Sequence, residues 1–347
     1  MQTPPSALSE TLSQAGGVIK GRVLKIHLLP RRGQVTPTLM RIVRDTTFMN
    51  SEDRGATAAI GNFDGVHLGH QAVLKIAAAA AKAPLGVLTF NPHPREYFAP
   101  DAPPFRLMSP TAKANRLQSL GVERLYELSF NTRLASLTPE AFCEEIICNE
   151  LGLVNVTVGA DFCFGKGRAG SVETLKEQGA KLGFGVTVAD LIGQGDVEVS
   201  STRIREALSD GQPEVAAAML GHLHRIEGRV LRGDQRGRDL GYPTANMSIE
   251  GLHPPKFGVY AVMAHVLDGP HKGSYQGVAS LGVRRIFGVN KPNIETFLFD
   301  FSGDLYDAEL SIALVAYLRE EKTFDTLEDL IAAMDADSAL ARDILAR

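Results

Sequence analysis

Two histidines lie three residues apart in the glycine-rich segment GNFDGVHLGH, at residues 61–70. If the chain turns into a helix here, His67 and His70 can both donate hydrogen bonds to one anion. The free N–H groups at the start of that helix would point at the same anion. Gly61, Gly65 and Gly69 would let the backbone turn sharply and approach a ligand. The pattern therefore predicts a phosphate site that suits a triphosphate.

Spacing alone leaves two other interpretations of this segment open. It can be a glycine-rich turn that carries two surface histidines. The histidine pair can also bind zinc, although no third ligand is suggested nearby.

The segment SSTRIREAL, at residues 200–208, is a second candidate phosphate site. Ser200, Ser201 and Thr202 can cap a helix and offer hydroxyl and N–H groups to a phosphate. The alternative is a simple helix cap without a ligand. Arg203 and Arg205 are two positions apart and therefore lie on nearly opposite faces of the helix. We expect one of the two arginines to contact a phosphate.

A third candidate is the segment GDQRGRDLGYPTAN, at residues 233–246. Its glycines would let a loop fold over phosphates, and Thr244 and Asn246 supply neutral oxygens that suit Mg²⁺. An ordinary surface hairpin is the alternative. The glycines are Gly233, Gly237 and Gly241.

Glu295 lies within the apolar run NIETFLFDF. Strand alternation can turn its carboxylate to solvent, or a cleft can hold it as a general base. The sequence by itself favours the solvent-facing position.

The elements that must position these residues differ between the two halves of the chain. Up to Gly221, short apolar runs at 57–61, 85–90, 125–130, 154–160 and 184–192 alternate with helical segments, which predicts a parallel sheet of βαβ units. After Gly221, closely spaced strands without helices between them predict an antiparallel barrel or sandwich. The stretch TLEDLIAAMDADSALARDILA is typical of an amphipathic helix or helical pair that packs on it. We expect domains at 40–222 and 223–347, with residues 1–39 as a disordered or mis-annotated extension.

The first half resembles the HxGH nucleotidyltransferase superfamily, and more closely its flavin adenylyltransferase branch. The resemblance rests on GNFDGVHLGH, SSTRIR, TFNPHPREYF and VGADFCFGKGRAGS, from about Met40 to Gly221. It implies a Rossmann-like fold in which His67, His70 and Arg205 stabilise charge as FMN phosphate attacks the α-phosphorus of ATP. Cys163 stands where the family commonly has a basic residue. The resemblance adds Asn62, Phe63 and Asp161 as ATP-binding residues, and Asn91, His93 and Pro94 as flavin-binding residues.

The second half is similar to the riboflavin kinase module, through GRDLGYPTAN, FGVYAV, GVASLG and ETFLFDFSGDLY. This implies a small β-barrel in which Arg238 contacts phosphate, Thr244 and Asn246 hold Mg·ATP, and Glu295 takes a proton from the ribityl hydroxyl. Where the family reads roughly ANIGTRPTFG, this chain reads ASLGVRRIFG, and the altered loop is expected to weaken the kinase. The replaced positions are Ser280, Val283, Arg285 and Ile286.

Composition limits the possible partners and the compartment. The formal net charge of −4 provides no broad basic field, so nucleic acid is not expected as a partner. Cys143, Cys148 and Cys163 form an odd set without CxxC spacing, which favours a reducing compartment over disulfides or zinc. No apolar run is long enough to span a membrane. We expect a cytoplasmic monomer or weak homo-oligomer.

Together these patterns predict a bifunctional enzyme that uses ATP and Mg²⁺ to convert riboflavin to FMN and FMN to FAD. Two alternatives remain. One is an FAD synthetase whose second domain binds flavin without phosphorylating it, and the other is a flavin-binding protein that has lost catalysis in both halves.

Overall fold

The structure is a computed structural model that describes residues 39–46, 49–189, 199–232, 241–286 and 289–347. For residues 284–286, 289 and 290 it describes the backbone alone. The predictions for residues 1–38 lie outside the described residues. The predicted domain boundaries stay predictions.

The first sheet contains six parallel strands in the order β1-β4-β3-β2-β5-β6. Its central strands are buried on both faces: every residue of the run TAAI at 57–60 is buried, and so are the first five of LGVLTFN at 85–91. Such continuous apolar runs are typical of parallel strands covered by helices on both sides. The strands are β1 Arg41–Val43, β2 Thr57–Ile60, β3 Leu85–Asn91, β4 Arg124–Ser129, β5 Asn155–Gly159 and β6 Gly185–Ala189.

Eight α-helices belong to this first part, as far as the chain is described, and several begin at a polar cap. Ser109, Asn131, Thr138, Ser171 and Ser200 each accept a backbone N–H from the first turn of the helix that follows. A π-helical segment, Phe142–Glu150, continues α5. The helices are α1 Leu68–Ala80, α2 Pro94–Phe98, α3 Pro110–Ser119, α4 Thr132–Ser136, α5 Pro139–Ala141, α6 Val172–Leu182, α7 Ser201–Ser209 and α8 Pro213–Leu220.

The second sheet contains six antiparallel strands in the order β7-β12-β9-β10-β11-β8. The backbone N–H of Leu231, just after β7, donates to the carbonyl of Asn246 in β8 at 2.8 Å. This bond joins the two edge strands, so the predicted antiparallel barrel is confirmed. The strands are β7 Arg225–Arg229, β8 Thr244–Ser248, β9 Gly258–Val266, β10 Gly273–Ile286, β11 Val289–Leu298 and β12 Glu309–Arg319.

The C-terminal stretch forms one helix, α9 Leu327–Leu345, capped by Thr326. It covers the outer face of the barrel, where Ala341 packs with Ala261 and Phe299. The prediction of a helix is confirmed, and the alternative of a helical pair is resolved in favour of one element.

Two parts of the barrel differ from the sequence interpretation. Residues 280–286 were expected to form a loop, but they continue β10 and pair with β11 as far as Ile286 and Val289. The run TANMS, which is not among the strands expected from the sequence, is the edge strand β8. In both places tertiary strand pairing overrides weak local signals.

Among the described residues, no helix has both the length and the apolar character that crossing a membrane requires.

Candidate active sites

A cavity of about 1200 Å³ opens at the carboxyl ends of the parallel strands; we call it the histidine cavity. Its wall includes Ile60, Phe90, Gly159 and Ala189, which lie at the ends of β2, β3, β5 and β6. Ligands of open α/β sheets bind at this edge, because the loops that follow the strands converge there. Predicted site residues that line it are Gly61, Asn62, Phe63, His67, Gly69, His70, His93, Pro94, Asp161, Ser200, Ser201 and Arg205.

The two histidines of GNFDGVHLGH stack on each other, with ring centroids 3.7 Å apart and planes 18° from parallel. His67 is the N-cap of α1, and its Nδ1 accepts the backbone N–H of His70 at 3.3 Å. A neutral His67 ring therefore carries its proton on Nε2, where it remains a donor. Gly69 permits this stacking, since a Cβ there would lie 3.2 Å from the His67 ring.

Burial keeps both imidazoles uncharged. It lowers the pKa of His67 to about 4, with a smaller contribution from the positive charge of Arg205. Burial also lowers the pKa of His70 well below its ordinary value, and the positive charge of Lys113, like that of His67 once protonated, acts in the same direction. At neutral pH the pair consequently offers N–H donors rather than two positive charges.

Arg205 is held in the wall of the histidine cavity by two bonds. Its Nε donates to the carbonyl of Phe105 at 2.6 Å, and its guanidinium donates to Oδ2 of Asp64 at 2.6 Å. The guanidinium also lies over the Phe105 ring, 5.2 Å from the centroid. Arg203 lies on the exposed side of α7. The structure thus brings to the cavity the arginine that the resemblance favoured.

Helices α1 and α7 begin at the histidine cavity. His67 caps α1, and Ser200 caps α7 by accepting the backbone N–H of Arg203. Ser201 donates its hydroxyl to the carbonyl of Asp64 at 3.0 Å, which ties the start of α7 to the glycine-rich turn. Helix N-termini favour anions, so this end of the cavity suits phosphate groups.

Part of the wall of the histidine cavity is aromatic. Phe130 makes edge contacts with Phe90 and Phe98, each at 5.7 Å between ring centroids, while Phe162 stacks on Phe164 at 5.5 Å. Phe98 is 68% exposed although it is a large apolar ring. An exposed aromatic surface beside an anion site suits a ligand with a flat ring and a phosphate.

A second candidate site lies on the outer face of the barrel, across three neighbouring strands. Ser280 of β10 pairs with Glu295 of β11, and Glu295 pairs with Asn246 of β8. Paired residues share a face of the sheet, and Thr244, two residues from Asn246, shares it as well. We call these four residues the barrel row.

Asn246 is buried, and its amide nitrogen donates to the carbonyl and to the hydroxyl of Thr244, each at 3.3 Å. Its Oδ1 has no hydrogen-bond partner among the described residues. A buried carbonyl oxygen without a donor is costly unless a ligand or cation completes it. The oxygens of Asn246 and Thr244 therefore fit Mg²⁺, which prefers neutral and anionic oxygens.

Glu295 is half-buried and accepts a hydrogen bond from Nδ2 of Asn293 at 3.1 Å. A second carboxylate lies near it: burial, and then the charge of Glu295, raise the pKa of Glu321. A Cβ at Gly282 would overlap the Glu321 carboxylate. Glu295 thus lies on the outward face of its strand, as the sequence favours, and it is half-buried there.

Two family models match the chain in tandem: FAD synthetase over residues 49–203 and riboflavin kinase over residues 220–345. The bifunctional riboflavin kinase/FMN adenylyltransferase of Pseudomonas fluorescens is 41% identical over 311 residues, covering 88% of this chain and 98% of the relative. That of Escherichia coli K12 is 35% identical over 308 residues, covering 88% and 97%. The chain belongs to the bifunctional riboflavin kinase/FMN adenylyltransferase family. The predicted family, fold class and pair of activities are confirmed.

A solved structure from Streptococcus pneumoniae shares the architecture, with a TM-score of 0.75 and 28% identity over 87% of this chain and 98% of that one. Its title calls it a macrolide-efflux protein, an activity stated for that protein. Because the match covers 87% of this riboflavin kinase/FMN adenylyltransferase family member, the structural similarity includes both sheets.

Some residues predicted for the adenylyltransferase half do not line the histidine cavity as described. The amide oxygen of Asn91 accepts a bond from Arg106 at 3.3 Å, and Thr202 is exposed. Gly65 has a left-handed φ of 81°, and a Cβ there would lie 2.8 Å from Leu107, so close packing requires this glycine. The ligand roles of these residues stay predictions.

Predicted kinase residues also fall partly beyond what the structure describes. Gly233, Gly237 and Arg238 lie outside the described residues, as do the side chains of Arg285 and Ile286. Gly241 is exposed, with a φ of 79°. Val283 is 45% exposed.

Asp64, within GNFDGVHLGH, is a site residue that the sequence analysis missed. It is buried, and it accepts bonds from Arg205 and from the backbone N–H of Leu107 at 2.8 Å. An acidic residue inside a phosphate-binding turn was the available signal, because such a carboxylate needs a cation elsewhere in the chain. The aromatic wall was missed too, although Phe90 and Phe130 lie at the ends of predicted strands.

Burial of neutral histidines predicts that the protein loses stability in mild acid. Burial lowers the pKa to about 4 for His67, His93 and His222, and to about 3 for His224. Unfolded histidines titrate near pH ~6.5. Below that pH the histidines of the unfolded chain bind protons and the buried ones of the folded chain do not. The free energy of unfolding is therefore highest above pH ~6.5 and declines as the pH falls toward 4.

We therefore expect the calorimetric Tm to fall by about 5 °C or more between pH ~7.5 and pH ~5. A His224→Leu variant should show a smaller fall, because it lacks one of the buried imidazoles. A Tm that stays constant or rises over this interval would contradict neutral burial.

Proposed function

We propose that FMN is adenylylated in the histidine cavity and that riboflavin is phosphorylated at the barrel row. The observation that carries the first assignment is that two neutral stacked imidazoles, Arg205 and two helix N-termini line one cavity together with aromatic rings. The second assignment is supported by Glu295, which lies beside the side-chain oxygens of Asn246 and Thr244, and these suit a cation.

In adenylyl transfer, an FMN phosphate oxygen forms a bond to the α-phosphorus of ATP while the bond to the β-phosphate bridging oxygen breaks and pyrophosphate leaves. His67 and His70 donate N–H groups to oxygens whose charge increases in the transition state. Arg205, fixed by Asp64 and Phe105, adds a positive charge. The flat flavin ring lies against Phe90, Phe98 and Phe130, which places its phosphate toward the helix termini.

In riboflavin phosphorylation, the ribityl hydroxyl oxygen forms a bond to the γ-phosphorus of ATP while the bond from that phosphorus to the β–γ bridging oxygen breaks and ADP leaves; Glu295 accepts the hydroxyl proton. Thr244 and Asn246 would hold Mg²⁺, which neutralises phosphate charge when bound. Asn293 orients the Glu295 carboxylate through its amide. Ser280 pairs with Glu295 in the sheet and therefore borders the position of the incoming hydroxyl.

A time course with riboflavin, ATP and Mg²⁺ tests both assignments. We expect FMN to appear first and FAD to follow, with pyrophosphate released only as FAD forms. With FMN as substrate, FAD should form without a delay. Unchanged riboflavin together with rapid conversion of FMN would show that the kinase half is inactive.

We also propose that the enzyme works in the cytoplasm as a monomer or weak homo-oligomer. The free thiol of Cys163 is exposed and borders the histidine cavity, an arrangement that favours a reducing environment.

A further inference from the structure

The connection from β8 to β9 carries a segment of the barrel, residues 252–256, that contacts the parallel-sheet half; we call it the crossing segment. Leu252 forms a parallel bridge with Arg106, and the backbone N–H of His253 donates to the Arg106 carbonyl at 2.8 Å. The backbone N–H of Lys256 donates to the carbonyl of Leu208 in α7 at 2.8 Å. The crossing segment thus binds both pieces of backbone that hold Arg205, namely residues 105–107 and α7.

The crossing segment is itself fixed to the barrel. The hydroxyl of Tyr260 donates to the Lys256 carbonyl at 2.5 Å, and that of Tyr317 donates to the Phe257 carbonyl at 3.3 Å. Pro254 and Pro255 restrict φ within the segment. A backbone with these constraints can act as a firm support.

The ring of His253 contacts Arg205 directly through the main chain. Its Nε2 lies 3.1 Å from the Arg205 carbonyl oxygen and 3.0 Å from Oγ of Ser209, the last residue of α7. Because a carbonyl only accepts, the proton of the ring lies on Nε2. Through these two contacts the imidazole connects the final turns of α7 to the crossing segment.

The position of Arg205 is sensitive to such support. Its side chain is 16% exposed, and two bonds of 2.6 Å fix its guanidinium between Phe105 and Asp64. A small shift of α7 along its axis would break this geometry, and displacements of about 1 Å can cost catalysis on the order of 10²-fold.

We propose that His253, a residue of the kinase half, is a positioning residue for adenylyl transfer. It fixes the axial position of α7 so that the Arg205 guanidinium faces the histidine cavity. This inference rests on the proposed role of Arg205. Through His253, the barrel supports FAD formation structurally, and this role is independent of the riboflavin phosphorylation proposed for the barrel row.

The test uses the full-length chain and measures both activities in His253→Ala, His253→Gln, Arg205→Ala and the double variant His253→Ala with Arg205→Ala. We expect His253→Ala to lower kcat for FAD formation roughly three- to tenfold, the effect of one supporting hydrogen bond. Riboflavin phosphorylation should stay within about twofold of the original, which also reports correct folding. Gln, which keeps a side-chain N–H, should restore much of the rate. His271→Ala, on a histidine of the same barrel that packs on Phe301, is the matched control.

The double variant separates positioning from general support. If His253 acts through Arg205, adding His253→Ala to Arg205→Ala should change FAD formation little. Fully additive losses, or an equal fall in both activities of His253→Ala, would overturn the inference. So would a normal FAD rate in His253→Ala when Arg205→Ala has lost it. A normal FAD rate in Arg205→Ala would instead overturn the proposed role of the arginine.

Discussion

Replacing His70 by Ala is expected to lower kcat for FAD formation from FMN about 10²- to 10³-fold. The substitution removes one positioned N–H donor to the oxygens whose charge increases in the transition state. Burial lowers the pKa of His70 well below neutral, so the loss is that of a neutral donor and should not be offset by raising pH. Riboflavin phosphorylation should continue at its original rate. The measurement is steady-state kinetics of each half-reaction with its own flavin substrate.

His70 is a cleaner target than His67 for this experiment. The His67 side chain caps α1, so its removal would also disturb the start of the helix. In His70→Ala the backbone N–H that bonds to His67 Nδ1 remains. His70→Gln should be less impaired than His70→Ala, since it retains an N–H donor.

Two results would contradict the proposed role of His70. An adenylylation rate within about threefold of the original would show that the imidazole makes no bond specific to the transition state. Parallel loss of both activities would show that the change had damaged the fold rather than one site.

The sequence predicted the parallel sheet because its strands are short apolar runs separated by helical segments. Periodicity also predicted that His67 and His70 lie at the start of a helix. It further predicted that Arg203 and Arg205 lie on nearly opposite faces of another helix. These conclusions depend on local geometry, which residues within a few positions of each other determine.

What the sequence could not predict depends on contacts between distant residues. Asp64 and Arg205 are 141 positions apart and meet only after the sheet has formed. The barrel row depends on the register of three strands, which pairing across the sheet determines. For the same reason, residues 280–286 looked like a loop, although β11 holds them as a strand.

Glu295→Gln is expected to abolish most riboflavin phosphorylation while FAD formation from added FMN continues. The amide keeps the size of the side chain, and its oxygen can still accept the bond from Asn293 that now measures 3.1 Å. It cannot accept a proton. General bases contribute about 10²- to 10⁴-fold, and phosphoryl transfer with a loose transition state depends more on positioning, so we expect a loss of about 10²-fold.

Two further variants make the assignment to Glu295 specific. Glu250→Gln applies the same chemical change to an exposed carboxylate that pairs with Lys291 at 3.0 Å on the same barrel, and should be silent. Glu321→Gln tests the neighbouring carboxylate, whose pKa burial and Glu295 raise. If Glu321→Gln abolished the kinase and Glu295→Gln did not, the base would be Glu321.

The flavin products distinguish a lost base from a lost fold. With riboflavin and ATP, Glu295→Gln should form FMN, and hence FAD, about 10²-fold more slowly; with FMN and ATP it should yield FAD at the original rate. That contrast follows from the separation of the two sites, since Glu295 lies on the outer face of the barrel and does not line the histidine cavity as described. If the FMN reaction also slowed, the barrel row would influence α7, and the crossing segment at residues 252–256 is one backbone connection through which it could do so.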